Sequence, residues 1–523
     1  MTQLIATISL VVFVVVMLFV GIYSTKKAGT VEGFLLGGRS IGPWITAFAY
    51  GTTYFSAVIF IGYAGMFGWN IGLGSIWIGV GNALIGCLLA WIFLAKRTRR
   101  MTRTLDARTM PEFFAARYDS RRMKIYAAAI IFLFLVPYAA GVYKGLGSMF
   151  SAIFVGASPV TCMFIVAALT GIYLVLGGYV ATATNDFIQG IIMIFGLTAM
   201  VLILVTRPEV GGFAAAYEKL AAIGPQYVDL TGGSSASFLI TNICLTSFGV
   251  WGLPQMVHKY YAIKDESNIK LATIVSTLFA VLIGCGAYFT GSLSRLFIEP
   301  DANGLPNVAG GFDGVVPSLL MKALTDNIFS TIILSVILLL LLSASMSTLS
   351  SIVLSSSSAV SVDLVKEVHP QIKPKSQVIL MRLLCLLFIA LSFIFATANI
   401  SFIVNLMSFS WGVVAGSFIG PFLWGLYSKG ITRAGAWAGM LSGVAVVGGC
   451  IVYFTATAGF DAAKSMAPIF GVSAMAASVI AVPVVSAFSK KYSEEHNLKV
   501  FRNQEDADGA GTEIRKAFNE AQA

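Results

Sequence analysis

The sequence predicts an all-α, polytopic bundle embedded in a lipid bilayer, and three observations predict it. Of 523 residues, 57% are hydrophobic and only 11% charged, against roughly 25% charged in an ordinary soluble domain. Apolar stretches of roughly twenty residues recur from Leu4 to Val484, each long enough to cross about 30 Å of hydrocarbon as a helix. These runs far exceed the roughly ten-residue alternating strands of a membrane barrel. A helix also pairs its backbone polar groups within one segment, as lipid demands.

Apolar length and helix breakers place about thirteen spans, near residues 3–24, 43–66, 71–95, 125–152, 158–178, 186–206, 236–258, 271–297, 327–359, 377–397, 400–427, 433–456 and 466–488. The first run starts without basic residues and has no small-residue cleavage site, so it reads as a retained helix rather than a signal peptide. Basic residues alternate between loops. Lys26, Lys27 and Arg39, then Lys96 to Lys124, then Lys259, Lys264 and Lys270, and later Lys366 to Arg433 fall on one side, while the opposite loops keep few. The positive-inside rule then puts the N-terminus outside and the C-terminus in the cytosol of a cell whose plasma (inner) membrane holds the chain. Residues 1–488 form one transmembrane domain, and 489–523 a polar cytosolic tail. Two outer loops, about 207–235 and 298–326, carry Gly, Pro and acidic residues suited to caps or gates.

The net charge of +10 sits in loops between spans, which assigns it to orientation rather than to nucleic acid. The six cysteines lie in apolar runs without metal spacing and read as packing residues. His258, His369 and His496 fall in expected cytosolic loops or the tail, with no metal motif, so an embedded enzyme lacks support. The partners implied are the lipid bilayer and a small-molecule solute, with no nucleic acid and no obligate protein partner.

Polarity enters the membrane in a few places. The second span holds Gly51, Thr52, Thr53, Tyr54 and Ser56; the seventh holds Thr246, Ser247, Gly249, Gly252, Pro254 and Gln255. Both read as helices that unwind partway across, and breaks at corresponding positions five spans apart point to an inverted-repeat transporter with a central site. The ninth span is densest in hydroxyls, from Ser343 to Ser351 and again from Ser355 to Ser358. Ala344, Ser347 and Ser351 share one face, and hydroxyls with freed carbonyls are neutral oxygen ligands for a hard cation such as sodium. Close helix packing by serine is the other reading. Asp186 opens the sixth span, either as an intramembrane functional carboxylate or as a helix cap. Lys144, in the fourth span, either snorkels outward or faces a central cavity where it holds a carboxylate. Tyr54 and Trp251 stand at the breaks, as ordinary bundle aromatics or as walls of a site.

Four stretches resemble the sodium:solute symporter family. They are Phe34-Leu35-Leu36-Gly37-Gly38-Arg39-Ser40-Ile41-Gly42-Pro43; Gly177-Gly178-Tyr179 with Asn185-Asp186 and Gln189-Gly190; Met346-Ser347-Thr348-Leu349-Ser350; and Trp411, Ala415, Gly420-Pro421 followed by Thr432 to Met440. The resemblance implies the five-plus-five inverted repeat of the leucine-transporter type, with its core at about 43–427. It implies a sodium held by backbone oxygens of Thr52, Phe55 and Ala344 and hydroxyls of Ser347 and Thr348. It further implies residues for a second sodium: Asp186, Ser350 and Ser351, with Ser347 shared. Tyr138 and Pro254 match positions of the proline carriers, whereas Tyr54, Thr246 and Val250 depart from them, and the stretches Thr52-Thr53-Tyr54 and Phe248-Gly249-Val250-Trp251-Gly252-Leu253-Pro254 look closer to the pantothenate-type branch. The expectation is a secondary active symporter that takes one or two Na+ per cycle by alternating access, with solute meeting Tyr54, Ser56, Tyr138, Lys144, Trp251 and Pro254. A membrane solute sensor on the same fold, or proton coupling, are the alternatives.

Overall fold

The computed structural model describes residues 2–154, 156–325, 327–398 and 402–502. The expected start of the eleventh span at 400 and the tail beyond 502 lie outside the described residues. Among those described, the chain is helical throughout, with two isolated bridges and no strand. Eleven helical runs are long and apolar enough to cross a membrane. Two of these, Val58–Thr104 and Pro159–Val205, contain 47 residues each, about twice the length a crossing needs. Expected boundaries near 71 and 178 therefore lie inside continuous helical runs, because the chain turns there on a glycine instead of leaving for a loop. Gly178 adopts φ +54 and ψ −146, a conformation essentially restricted to glycine. A Cβ at Gly178 would also meet the Phe34 carbonyl oxygen at 2.8 Å.

Both expected breaks are present. The second span is a helix over Pro43–Tyr54, started by a proline in the first turn, and Phe55 is extended at φ −101, ψ 97. Ser56 restarts the chain: its side chain accepts the Val58 N–H at 3.2 Å and its carbonyl accepts from Ile59 and Phe60. The seventh span divides into Ala236–Gly252 and Pro254–Ala262, separated by extended Leu253 at φ −83, ψ 122. Pro254 both stops the first half, since it lacks an N–H, and opens the second, where its fixed φ suits a first turn.

Burial sorts the spans. The eleventh, Ile403–Tyr427, has 94% of its hydrophobic window buried, whereas the first, Gln3–Lys27, has 22%. The eleventh thus sits at the centre and packs on the fourth, seventh, twelfth and thirteenth spans, while the ninth, Ile328–Ser358, packs along the Pro159–Val205 run. Gly249 and Gly252 let the eleventh span come close: a Cβ at Gly252 would lie 2.9 Å from the Ala415 Cα, and one at Gly249 2.6 Å from the Trp411 ring. The loops at about 207–235 and 298–326 contain short helices, Phe213–Ile223 and Val315–Ala323. The first residues of the tail dock on the bundle, where the Tyr492 hydroxyl donates to the Tyr118 carbonyl at 2.7 Å and Val500 and Phe501 are buried.

Candidate functional site

Where the Pro43–Tyr54 helix stops, its last carbonyls lose the amides that would have followed them, and the ninth span faces them with hydroxyls. The Ser347 hydroxyl donates to Thr52 Oγ1 at 2.7 Å. Thr348 Oγ1 lies 3.0 Å from the Thr53 carbonyl, 3.0 Å from that of Ala344 and 3.4 Å from that of Thr52. The Ala344 carbonyl lies within an unbroken helix and takes its helix amide as well, whereas one hydroxyl has one proton, so the Thr52 and Thr53 carbonyls left by the break share a single donor there. An oxygen-rich, donor-poor cluster at a helix break is the environment that suits a desolvated alkali cation. Thr52, Ala344, Ser347 and Thr348 meet there, all fully buried. Phe55 occupies the break itself, its ring 4.7 Å from Tyr54. Among the described residues no group of three or more His, Cys, Asp or Glu is placed to hold a metal ion.

Asp186 differs from its sequence reading. It lies two turns beyond the Gly178 kink and is fully buried, so it neither opens a helix nor caps one; the sixth span starts earlier than hydropathy suggested, since helix resumes directly after the kink. Lys259 and His258, assigned to a cytosolic loop, are likewise buried. The seventh span continues past its break through Ala262, which carries both inside. Lys259 Nζ donates to Ser351 Oγ at 2.9 Å and lies 3.5 Å from Asp186 Oδ2, with the Tyr179 ring centroid at 5.3 Å. Ser351 also shares a 3.0 Å hydrogen bond with Thr53, and Ser350 turns its hydroxyl onto the Ser347 carbonyl at 3.0 Å. An ammonium therefore lies among the residues that the resemblance allots to a second ion. Sequence reading missed Lys259 because a charge ends a hydropathy window; the apolar and aromatic run Tyr260-Tyr261-Ala262-Ile263 after it was the available signal.

The expected solute-contacting residues fall into two places. Tyr54, Ser56, Tyr138 and Trp251 are buried at the breaks, and Pro254 begins the second half of the seventh span. Tyr54 donates to the Thr246 carbonyl at 2.9 Å, Trp251 Nε1 to the Ile85 carbonyl at 3.0 Å, and the Tyr138 ring stands edge-on to Trp411 at 5.7 Å. Asn82, another residue the sequence did not point to, accepts from Thr246 and Ser247 at 2.7 and 3.2 Å. Lys144 stands apart: it is six residues beyond Tyr138, about 9 Å of helical rise, in the wall of a cavity of about 1370 Å³ at the end of the bundle opposite the basic loops. It faces Asp313 Oδ2 at 3.8 Å, with 14% of its side chain exposed. Asp313, in a loop, accepts the Ile403 N–H at 3.3 Å. Burial pushes its carboxyl up to about 6, against the pull of Lys144 and the Ile403 hydrogen bond.

Two interrupted helices meeting a hydroxyl-rich partner at the middle of a membrane bundle define an ion-coupled solute carrier. The sequence pattern of the Sodium:solute symporter family matches residues 34–443. The chain is 28% identical to the osmoregulated proline transporter of Bacillus subtilis over 84% of this chain and 87% of the relative. It is 30% identical to a sodium/proline symporter of Staphylococcus aureus over 92% and 93%. The structure of a Na+-coupled sialic acid symporter in a substrate-bound outward-open state superposes with a TM-score of 0.71 at 18% identity, covering 94% of this chain and 99% of that one, which shows a shared fold. The chain belongs to the sodium:solute symporter family.

Proposed function

We propose that this protein is a sodium-driven importer of a small organic carboxylate, an amino acid or a vitamin such as pantothenate, working by alternating access and not as an enzyme. The observation that carries the reading is the convergence of the Thr52, Thr53 and Ala344 carbonyls on Thr348 Oγ1, beside the Ser347–Thr52 contact. A sodium held there joins the broken second span to the ninth. A ligand shifts an equilibrium only by its differential affinity for the two states, so sodium favours the form in which the second span rests on the ninth and the solute meets Tyr54, Ser56, Tyr138 and Trp251. The matched relatives carry proline in their names, and proline and pantothenate share a carboxylate, which supports the class over either compound. The basic loops favour an N-terminus outside and a C-terminus in the cytosol.

Radiolabelled proline and pantothenate, offered to proteoliposomes under a sodium gradient and again under choline, provide the test. Accumulation of either compound in sodium alone is expected. The double variant S347A/T348A is expected to raise the sodium concentration for half-maximal uptake at least about tenfold, the equivalent of ~1.4 kcal/mol of lost ion contact. Sodium-driven uptake that is unaltered in this variant removes the cradle from the mechanism, and binding without accumulation would favour a sensor.

A further inference from the structure

The buried Lys259 ammonium has no part in the cradle just described, yet it joins three helices: its own Pro254–Ala262 segment, the sixth span through Asp186 and the ninth through Ser351. We propose that Lys259 is a tethered cation that takes the place of a second sodium, so that the protein carries one Na+ per cycle. This rests on the reading of the chain as a sodium symporter.

Charge decides the matter first. Buried carboxylates among the described residues are Asp186, Asp313 and Asp363. Asp313 is held by Lys144 and the Ile403 amide, and Asp363 by Thr109 and Lys124 at the far end of the ninth-span helix. Asp186 alone serves the centre of the bundle, and Lys259 already balances it. A further cation between them would stand against the Lys259 ammonium, which already contacts both Asp186 and Ser351, and like-charge repulsion at that range, which the neutral oxygens of the cradle do not impose on the first ion, disfavours it.

Ligand supply points the same way. Of the hydroxyls a second ion would need, Ser351 accepts from Lys259 and bonds to Thr53, Ser350 is turned onto its own helix, and Ser347 is bonded to Thr52 in the cradle. The ammonium supplies three donors where sodium would need several oxygens. Unlike an ion, it cannot leave: when the Pro254–Ala262 segment moves, its charge moves with it, which makes the Asp186–Lys259 contact a latch on the side of the basic loops.

Equilibrium binding of radiolabelled sodium to the purified full-length protein tests this without knowledge of the solute. Wild type is expected to saturate at one ion per chain, and S347A/T348A to need at least about tenfold more sodium to reach half-saturation. Lys259→Ala empties the place beside Asp186 and is expected to bind two. Two ions in wild type, an unshifted affinity in S347A/T348A, or a folded Lys259→Ala protein that still takes one each overturns the proposal. No sodium bound by wild type defeats the symporter reading itself. Should Lys259→Ala fail to fold, the wild-type stoichiometry and the S347A/T348A shift still decide.

Discussion

At the scale of single residues, the Asp186–Lys259 pair is the most consequential contact in the membrane interior. Lys259 has 1% of its side chain exposed and Asp186 none. Removing one member of a buried pair strands the other charge, at a cost of about 3–5 kcal/mol, whereas removing both together is often near neutral. Asp186→Asn and Lys259→Met are each expected to lower the thermal midpoint of the detergent-solubilised protein sharply, and the double variant to regain most of the loss. The measurement is a double-mutant cycle on thermal unfolding; additive single effects would mean that the two groups do not interact. Neither the pairing nor its depth was legible in the sequence, because Asp186 follows a glycine pair that resembles a loop and Lys259 follows a proline that resembles an end. By contrast, the resemblance pointed to Ser347 and Thr348, and the structure sets both against the end of the broken second-span helix.

At the scale of elements, glycine and proline set where the helices break and where they fuse. The interruptions at Phe55 and Leu253 could be read in advance because Gly51, Ser56, Gly252 and Pro254 crowd into apolar runs around them. The kink at Gly178 could not, since a glycine in the left-handed region leaves the helix axis without the polar loop that marks a boundary. Its positive φ and the Phe34 backbone 2.8 Å from a would-be Cβ make Gly178→Ala doubly unfavourable, through backbone strain of about 1–3 kcal/mol and a clash that backbone cannot easily relieve. This substitution is expected to destabilise the protein by at least that amount in thermal unfolding. Gly448→Ala, where a Cβ meets nothing within 4 Å, is the control expected to be silent.

At the scale of the molecule, the residues divide into a closed centre and an open end. Tyr54, Ser56 and Tyr138 have at most 2% exposure, while the cavity beyond them reaches Ser148, Gly311 and Asn405. The Lys144–Asp313 contact in its wall joins a span to a loop far along the chain, a pairing that no local pattern could forecast. If sodium favours the form in which the second span rests on the ninth, it must also change how often this cavity is open to water. With the six native cysteines replaced, a thiol introduced as Ser148→Cys is expected to react with a membrane-impermeant maleimide several-fold faster in sodium than in choline. A tenfold ratio would correspond to about 1.4 kcal/mol of differential binding. Adding S347A/T348A to the same protein is expected to make the two rates equal, because the ion then has nothing through which to act. Equal rates before that addition would mean that sodium binds without moving the gate, and the cradle would have to be separated from the opening of the cavity.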